Sequence, residues 1–560
     1  MSTMFGYLSL VLHAHLPFVR HPEHDRFLEE SWLFEAIIEA YLPLLQLLEG
    51  WKRDCVNAPL TLTLSPTLCA MLKDPLLQER VARRMDDLVA LAEKEIQRTH
   101  WQRQFHELAV FYHERLSAAR EAYAGYGRDL VGAFRRCQER GQLEIITTAA
   151  THALLPLLAS HPTSMRAQIM VARDHYRSCF GRDPRGIWLP ECAWVQEIEP
   201  ALREAGLRWF ILDSHGILHA RPQPRHSIFA PLITPGGLAA FGRDLDSARQ
   251  VWSRQEGYPG DPRYRDFYRD IGFDLDLDYT RSGLPADNVR GFTGLKYFRI
   301  TGSGPSKETY NREAAIRAAD EHAGHFLSAR MSQIQGLAGA LDRPPFVLCA
   351  YDAELFGHWW YEGPEFLDFF VRKAFFDQKA FTMITPEQYL ERHPINQMAT
   401  PATSSWGDQG YWGVWLNEQN EWIYQHLRVA QVRMTELVRK FRAWEGSATD
   451  CRERREESPS GDVEPKGTPD VVHFNQSEML KPRALRQAGR ELLLAQASDW
   501  PFMLRTGTNP DYARKRVKDH LLRFTSLYEQ FVNDRVEERR LSEIEELDPI
   551  FPELDYNYWA

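Results

Sequence analysis

The sequence predicts an α/β protein: an incomplete, TIM-like (β/α)7 barrel with inserted loops, followed by an all-α C-terminal domain. Three observations support this fold class. Short apolar runs alternate with helical periodicity, polar residues follow those runs directly, and the last third of the chain changes to long amphipathic helices. With 560 residues, 44% of them hydrophobic and 26% charged, the chain can bury a substantial core.

Seven apolar or β-branched runs are predicted to be parallel strands. Strands that are covered on both faces show continuous apolar runs rather than alternation, and helical periodicity such as that over 32–48 and 109–136 lies between them. The predicted strands are Tyr7–Leu12, Leu60–Leu64, Leu143–Thr147, Gly186–Leu189, Trp209–Leu212, Leu295–Ile300 and Phe346–Ala350.

Polar residues come directly after most of these apolar runs. In a β/α barrel the catalytic groups lie at the carboxyl ends of the strands, so we expect these side chains to share one face of the barrel and to form a site. They are His13 and His15, Ser65, Thr148, Glu191, Asp213 and His215, and Asp352 with Glu354.

The domain organisation follows from changes of composition. We predict a catalytic barrel over 1–400, with a turn-dense insertion on its top face at about 216–294. Residues 401–560 are predicted to form the helical domain, with helices over 420–444, 481–498 and 512–532. The polar, charged segment 445–476 is predicted to be a disordered insertion between two of these helices.

Charge and cysteine content exclude several classes of protein. A net charge of −10 argues against nucleic acid as a partner. The early apolar run over 5–12 is too short to cross a bilayer and has no basic segment before it, which argues against a membrane protein. The seven scattered cysteines include no C-x-x-C pair, so a reducing cytoplasm is the expected location.

Glu191 is the first candidate catalytic residue. Pro190 ends the strand before it, so the carboxylate is expected to project from the strand end, between Trp188 and Trp194. A lone glutamate most often caps a helix or forms a salt bridge. One that is flanked by indoles in a chain with 16 tryptophans suits a carboxylate beneath a sugar ring.

A second acidic group follows the last predicted strand. Asp352 and Glu354 have the same parity beyond it, and His358 in the same segment is a candidate for substrate binding. Glycoside cleavage needs one protonated and one ionised carboxyl group across the scissile bond. Glu191 with either Asp352 or Glu354 meets that need, and spacing alone does not choose between them.

A metal site is the competing hypothesis for the histidines. His13, His15, Asp213, His215 and Glu191 are residue types that ligate divalent metals, as in metal-dependent deacetylation. Neither of the first two histidines lies in an acidic ligand motif, and a carboxylate pair accounts for hydrolysis without metal. The sequence therefore favours no metal and no cofactor, with both histidines hydrogen-bonded to substrate hydroxyls.

Five segments, in this order, resemble the signature regions of glycoside hydrolase family 57. Within that family the sequence is most similar to the 1,4-α-glucan branching enzymes, over nearly the whole chain and including Ser498–Phe502. The segments are His13–Phe18, Gly141–Thr148, Trp188–Trp194, Ala350–Trp360 and Ser405–Asn417.

The resemblance implies residue roles as well as a fold. It implies a (β/α)7 barrel, a retaining mechanism without metal, Glu191 as nucleophile and Asp352 as general acid/base. It also implies that Tyr258 lies on a mobile loop that favours transfer over hydrolysis. Further side chains that it implies to line the glucan cleft are Trp32, Arg265, Trp406, Trp415, Asp499 and Trp500.

The implied activity is glycosyl transfer in glycogen biosynthesis. An α-1,4-glucan such as amylose or glycogen would be cut and the fragment re-attached as an α-1,6 branch, with glucan as both donor and acceptor. An α-amylase or a 4-α-glucanotransferase is the alternative, because the same carboxyl pair serves all three. Glu191 and Asp352 argue against a non-catalytic glucan-binding protein. The enzyme is expected to be a monomer.

Overall fold

The protein contains ten strands in the part of the chain that the structure describes. The computed structural model describes residues 4–253, 256–286, 289–302, 304, 306–456 and 476–560. The strands are β1 Gly6–Ala14, β2 Leu60–Leu64, β3 Leu143–Ile146, β4 Gly186–Trp188, β5 Trp209–Leu212, β6 Leu232–Ile233, β7 Ala239–Gly242, β8 Phe346–Asp352, β9 Phe381–Met383 and β10 Gln397–Met398.

The strands form two sheets that are almost entirely parallel. The first has the order β3-β2-β1-β8, with β9 also paired to β1, and the second has the order β10-β6-β7-β5-β4. Among the pairings between these ten strands of the described residues, only that of β6 with β7 is antiparallel. Parallel neighbours require crossover connections, and the protein is therefore a mixed α/β protein with parallel sheets and a helical C-terminal region.

Helices supply those crossovers and fill the C-terminal region. The α-helices are α1 Ser31–Ala36, α2 Leu42–Arg53, α3 Pro66–Lys73, α4 Pro75–Arg98, α5 Arg103–Gly125, α6 Leu130–Glu139, α7 Leu155–Leu158, α8 Pro162–Phe180, α9 Glu199–Glu204, α10 Ser214–Leu218, α11 Leu245–Trp252, α12 Ile271–Asp274, α13 Leu277–Thr280, α14 Arg312–Ala340, α15 Gly363–Phe376, α16 Pro386–Arg392, α17 Glu421–Glu456, α18 Gln476–Ala495, α19 Asp499–Thr506, α20 Pro510–Val532 and α21 Glu538–Leu547.

One predicted strand is wrong. Residues 295–300 make only isolated bridges, such as Phe298 with Thr309, and the strand that pairs with β5 is β7 instead. Lys296 explains the error, because its buried ammonium packs on aromatic rings where a strand would hold an apolar side chain. The sequence of β7, Ala-Ala-Phe-Gly, lacks β-branched residues and so gave little strand signal. Because β6 and β7 are strands, the predicted insertion at 216–294 began too early.

The chain divides into two compact units. The first consists of Met1–Thr148 and Tyr176–Trp406, and the second of Ala149–His175 and Gly407–Ala560. The division at residue 400 that was predicted from composition did not include 149–175 in the helical unit. That segment forms α7 and most of α8, in the connection between β3 and β4.

The core of the first unit explains where many of the aromatic residues are used. Trp188, Trp209, Phe241 and Phe346 belong to one buried cluster, and such rings bury large apolar areas. The apolar stretch Leu28–Arg53 is long enough to cross a membrane, but 67% of its most apolar window is buried inside the protein. It therefore packs as a core helix of this unit.

The long C-terminal helices that the sequence predicts are confirmed in the helical unit. Asn509-Pro510 begins α20, with proline in the first turn, where its missing N–H removes no hydrogen bond. Helix α17 continues to Glu456, into the segment that was predicted to be disordered. Residues 457–475, the rest of that segment apart from the first residue of α18, lie outside the described residues.

Candidate active site

The register of the first sheet brings the predicted residues of two strands side by side. His13, near the end of β1, is paired with Asp352 at the end of β8 and with Thr63 near the end of β2. Because the strands are parallel, their carboxyl ends lie at one edge of the sheet. The structure therefore brings His13 and Asp352 together as polar neighbours.

Glu191 lies in a strained turn shortly after β4, which ends at Trp188. It is the middle residue of the 3-10 turn Pro190–Cys192, with φ 60° and ψ 23°, a left-handed conformation that costs free energy for a non-glycine residue. The indole N–H of Trp406 donates to its Oε2 at 2.8 Å, and the backbone N–H of Trp406 donates to its carbonyl oxygen at 3.0 Å. Two hydrogen bonds to one tryptophan therefore hold the partly exposed carboxylate in place.

The surroundings of Asp352 favour its protonated form. Burial raises its pKa well above the usual aspartate range, and the negative charges of Glu354 and Glu191 raise it further, against a lowering by Arg243. A carboxyl group with a raised pKa beside one that can ionise is the arrangement of an acid and a nucleophile. The charge of Glu191 acts on Asp352, so the two groups lie within electrostatic reach of one another.

Glu354 has other hydrogen-bond partners than a substrate. Its Oε1 accepts a hydrogen bond from the backbone N–H of His15 at 3.1 Å and another from the hydroxyl of Tyr41. The residue is 6% exposed. Of the two carboxyl groups that the sequence left open, Glu354 is thus tied into the structure on its buried side, while Asp352 remains partly exposed.

A π-helical turn and a glycine position the groups behind this edge. Residues 37–41 form one π-helical turn, a feature common at functional sites, and it carries both Tyr41 and Glu39. The loop after β8 approaches this turn so closely that a Cβ on Gly357, at φ +117°, would lie 1.7 Å from the carbonyl oxygen of Glu39. Only glycine fits at that position.

His358 is positioned by Glu39, which also pairs with a buried arginine. Glu39 accepts a hydrogen bond from His358 Nδ1 at 2.8 Å and pairs with Arg265 Nη2 at 3.0 Å. Burial alone would raise the pKa of Glu39, but the charge of Arg265 and the His358 hydrogen bond lower it to about 2. Arg265 is 4% exposed, with its guanidinium 3.5 Å from the ring centroid of Tyr361. It therefore does not line a cleft as the resemblance implied, because its charge is used inside the protein.

The two predicted histidines on β1 differ in their surroundings. His13 is buried and stacks on Trp188 at 4.6 Å, and burial lowers its pKa well below the usual histidine range, so the ring is neutral. His15 Nδ1 lies 3.0 Å from the hydroxyl oxygen of Ser65. A neutral ring of this kind can donate or accept a hydrogen bond, depending on its tautomer.

The ligands of the alternative metal hypothesis do not converge. Asp213 is engaged by Arg243 Nε at 2.7 Å and by His215 Nδ1 at 3.0 Å. Within the described residues, the one group of three potential ligand side chains with ligand atoms within 4.8 Å is in the helical unit. The set built on His13 and His15 is therefore not assembled as a ligand cluster.

Tyr258 is not on an exposed loop. It begins a 3-10 turn, is 8% exposed and stacks on His322 at 4.7 Å. Its hydroxyl oxygen lies 2.7 Å from His325 Nδ1. The ring therefore packs against α14, and the loop mobility that the resemblance implies stays a prediction.

The other predicted cleft residues fall in both units. Trp32 on α1 and Trp406 are partly buried in the first unit. In the second unit Asp499 begins α19, Trp415 is 2% exposed and Trp500 is fully buried. The indole of Trp500 donates to the carbonyl oxygen of Leu494 at 2.8 Å. Trp500 is thus a core side chain and presents no face to a sugar, contrary to the implied role.

Arg243 and Trp252 were not predicted from the sequence, whereas Trp359 was expected in an aromatic cluster with Trp360 and His358. Arg243 follows β7, lies 5.2 Å from the ring centroid of Trp406 and pairs with Asp213. Like the other candidate residues, Arg243 is a polar residue directly after a strand. It would have been predicted as a site residue if β7 had been predicted as a strand. The Trp252 ring lies 6.2 Å from that of Trp359 and 6.5 Å from that of Trp406.

Two family models match parts of this chain. Residues 9–401 match the family model of glycosyl hydrolase family 57, and residues 470–559 match that of the 1,4-alpha-glucan branching enzyme C-terminal region. A 1,4-alpha-glucan branching enzyme of Thermococcus kodakarensis is 30% identical, over 98% of this chain and 78% of the relative.

Two crystal structures are similar over almost their full length. The alpha-amylase AmyC from Thermotoga maritima superposes with a TM-score of 0.87 at 39% identity, covering 99% of each chain. A GH57-type branching enzyme from Pyrococcus horikoshii superposes with a TM-score of 0.83 at 29% identity, covering 100% of this chain and 97% of the other. On the family-model match and the full-length relatives, this chain belongs to glycosyl hydrolase family 57.

Proposed function

We propose that the protein is a 1,4-α-glucan branching enzyme, which cleaves an α-1,4-glucan and re-attaches the fragment through an α-1,6 bond. One observation carries the chemistry. Burial and the charges of Glu354 and Glu191 raise the pKa of Asp352 and so favour its protonated form near Glu191, as a retaining glycosidic acid and nucleophile require. Branching, rather than another outcome of the same chemistry, is supported by the match of 470–559 to the branching-enzyme C-terminal region.

The first half-reaction uses the two carboxyl groups together. Glu191 attacks the anomeric carbon while Asp352 gives its proton to the departing glucan oxygen, which yields a glycosyl-enzyme ester. The hydrogen bond from Trp406 to Glu191 Oε2 fixes the direction in which the carboxylate faces. His13, His15 and His358 supply hydrogen bonds to sugar hydroxyls from the rim of the strand ends.

The second half-reaction decides the product. Asp352, now ionised, accepts the proton of an acceptor's 6-hydroxyl, and that oxygen displaces Glu191 to form the α-1,6 bond. Water competes for the same intermediate, so transfer requires that water be kept out. Trp406, Trp252 and Trp359 are in ring contact beside the nucleophile and form an apolar wall suited to that purpose.

We infer that seven of the parallel strands close into an incomplete (β/α)7 barrel, in the order β1, β2, β3, β4, β5, β7 and β8. Two hydrogen bonds between the sheets support closure. The backbone N–H of Trp188 in β4 donates to Thr147, just after β3, at 2.9 Å, and that of Asp244, just after β7, donates to Leu348 in β8 at 2.8 Å. Closure would bring all the predicted strand-end residues of the first unit to one rim.

Hydrolysis is the second candidate function, because the similar structure from Thermotoga maritima is named an alpha-amylase. The carboxyl pair does not separate the two activities, since only the acceptor differs. The decisive experiment is incubation of the purified protein with amylose, followed by proton NMR of the product. Signals of α-1,6 linkages support branching. Release of reducing ends without these signals would show that the protein hydrolyses amylose and does not branch it.

We further propose that the enzyme acts as a cytoplasmic monomer without a metal ion. The six cysteines of the described side chains are all free thiols, which suits a reducing compartment. Exhaustive chelation should leave the rate on amylose unchanged. Loss of activity that returns with zinc or manganese would instead restore the metal hypothesis built on His13 and His15.

A further inference from the structure

A line of aromatic rings leads away from the candidate nucleophile. Trp406 donates to Glu191, and its ring centroid lies 6.5 Å from that of Trp252. Trp252 lies 6.2 Å from Trp359, and Trp359 lies 6.3 Å from His358. Each step is a ring-to-ring contact, so the apolar wall beside Glu191 continues to His358 without a gap.

The line continues onto a surface made by four further rings. Phe267 lies 5.4 Å from His358 and is 5.2 Å from Tyr268 and 5.4 Å from Phe292. Phe273 lies 5.2 Å from Phe292. We name Phe267, Tyr268, Phe273 and Phe292 the outer aromatic surface. Tyr268 is 61% and Phe273 44% exposed, and contiguous exposed rings mark a binding site where single ones do not.

The outer aromatic surface is held rigidly from behind. Lys296 is 2% exposed, and its ammonium lies 4.3 Å from the ring centroids of both Phe267 and Phe292. Asp270, which is 1% exposed, accepts hydrogen bonds from the backbone N–H groups of Gly272 at 2.8 Å and Thr293 at 3.0 Å. These contacts fix the segments that carry Phe273 and Phe292, so little conformational entropy is lost when a ligand binds.

We propose that the outer aromatic surface binds a distant stretch of the same α-glucan chain that the catalytic carboxyl groups cleave, so that long chains are preferred. This inference rests on the proposed function. Sugar rings present flat apolar faces that stack on aromatic rings, while their hydroxyls remain in water. A peptide or lipid ligand would not need continuity with Glu191, whereas a polymeric substrate does, and the unbroken line of rings supplies it.

Binding measurements on a variant without turnover test the proposal. In a Glu191→Gln background, isothermal titration calorimetry would give the affinities for amylose and for maltotriose. We expect Tyr268→Ala and Phe273→Ala each to lower the ratio of amylose to maltotriose affinity about fivefold, the size of a lost ring contact. Tyr268→Phe keeps the ring and should keep the ratio.

Phe376→Ala is the matched control. Phe376 is 60% exposed at the end of α15, and its ring contact is with Phe375, so its removal should leave both affinities unchanged. An unchanged ratio in both alanine variants would overturn the proposal, and so would an equal loss for the two ligands. A wild-type protein that forms no α-1,6 bonds would overturn the proposed branching function instead, while the affinity ratio would still decide the role of the surface.

Discussion

Each unit contains a cluster of buried ionisable groups, and the two clusters serve different purposes. In the first unit burial raises the pKa of Asp352 well above its usual range, and the charges of Glu354 and Glu191 add to the shift. In the helical unit burial raises the pKa of Glu491 in the same direction, with a further contribution from Asp548. A raised carboxyl pKa by itself therefore does not identify a catalytic group.

The difference lies in exposure and charge compensation. Asp548 is fully buried, with Arg523 Nη1 at 2.5 Å and Arg516 Nη2 at 3.4 Å, and Glu491 is 2.7 Å from His520 Nδ1. Asp548 is thus paired with two arginines and Glu491 with a histidine, in a cluster that is closed to a substrate.

At the strand ends the charges of the carboxyl groups are not fully compensated by nearby cations. Asp352 and Glu191 are partly exposed, and the nearby cation Arg243 is already paired with Asp213. Incomplete compensation at an accessible position allows a proton to be held there and released, which a compensated and inaccessible cluster does not.

The largest expected effect is that of Glu191→Gln. An amide of the same shape cannot form the glycosyl ester, so activity on amylose should fall about 10⁴-fold or more. The melting temperature should change little, because the amide can still accept the Trp406 hydrogen bond. Initial rates on amylose measure the loss of activity, and thermal unfolding measures the melting temperature. Near-normal turnover in a clean preparation would remove Glu191 from the mechanism.

Asp352→Asn should lower activity on glucans about a hundred- to ten-thousandfold, because the leaving oxygen needs a proton. A donor with an acidic leaving group, such as a glycosyl fluoride, should partly restore the first half-reaction. Glu354→Gln is the matched comparison. If selective rescue appears there and not in Asp352→Asn, the acid is Glu354.

The raised pKa of Asp352 also predicts a pH profile. The acid must be protonated, so kcat/KM on amylose should stay high above the usual aspartate range and fall as the pH rises through the raised pKa. When the Asp352→Asn variant acts on the fluoride donor, this fall of kcat/KM at high pH should disappear. If kcat/KM of that variant still falls at high pH, the group that titrates there is not Asp352.

In the helical unit the expected effect is on stability rather than on rate. Asp548→Asn removes a buried charge and leaves Arg516 and Arg523 under-compensated, which should cost about 3–5 kcal/mol of unfolding free energy. Urea unfolding measures this loss, and the rate per folded molecule should be unchanged. Glu543→Gln, at an exposed pair with Arg539, is the control and should leave the unfolding midpoint in place. Lost activity at full stability would mean that the cluster has a catalytic role.

The contrast also shows what the sequence could predict. The places of Glu191 and Asp352 near strand ends could be predicted, because each comes at or just beyond the end of an apolar run that forms a parallel strand. Their catalytic roles stay predictions. Burial was not predictable in the same way. The motif around Trp500 looked functional, but packing within the helical unit encloses the ring, and Arg265 pairs with Glu39, which is far away in sequence. Such partners depend on tertiary contacts that no local pattern contains.

The smallest expected effect concerns Tyr258, a buried side chain with a predicted role in chemistry. Its ring stacks on His322 and its hydroxyl is hydrogen-bonded to His325, so both contacts attach the turn over 258–260 to α14. Tyr258→Ala removes this attachment, and the freed turn should admit water to the glycosyl-enzyme. Branching should then fall several-fold more than cleavage.

Reducing ends counted before and after debranching of the same digest give both rates. Tyr258→Phe keeps the stacking on His322 and loses only the hydrogen bond, so its ratio should lie between those of the wild type and the alanine variant. If the ratio of branching to cleavage is the same in all three proteins, the turn is structural, like the Asp548 cluster. Exclusion of water would then have to come from Trp406, whose indole donates to the Glu191 carboxylate, and from Trp252, which packs on Trp406.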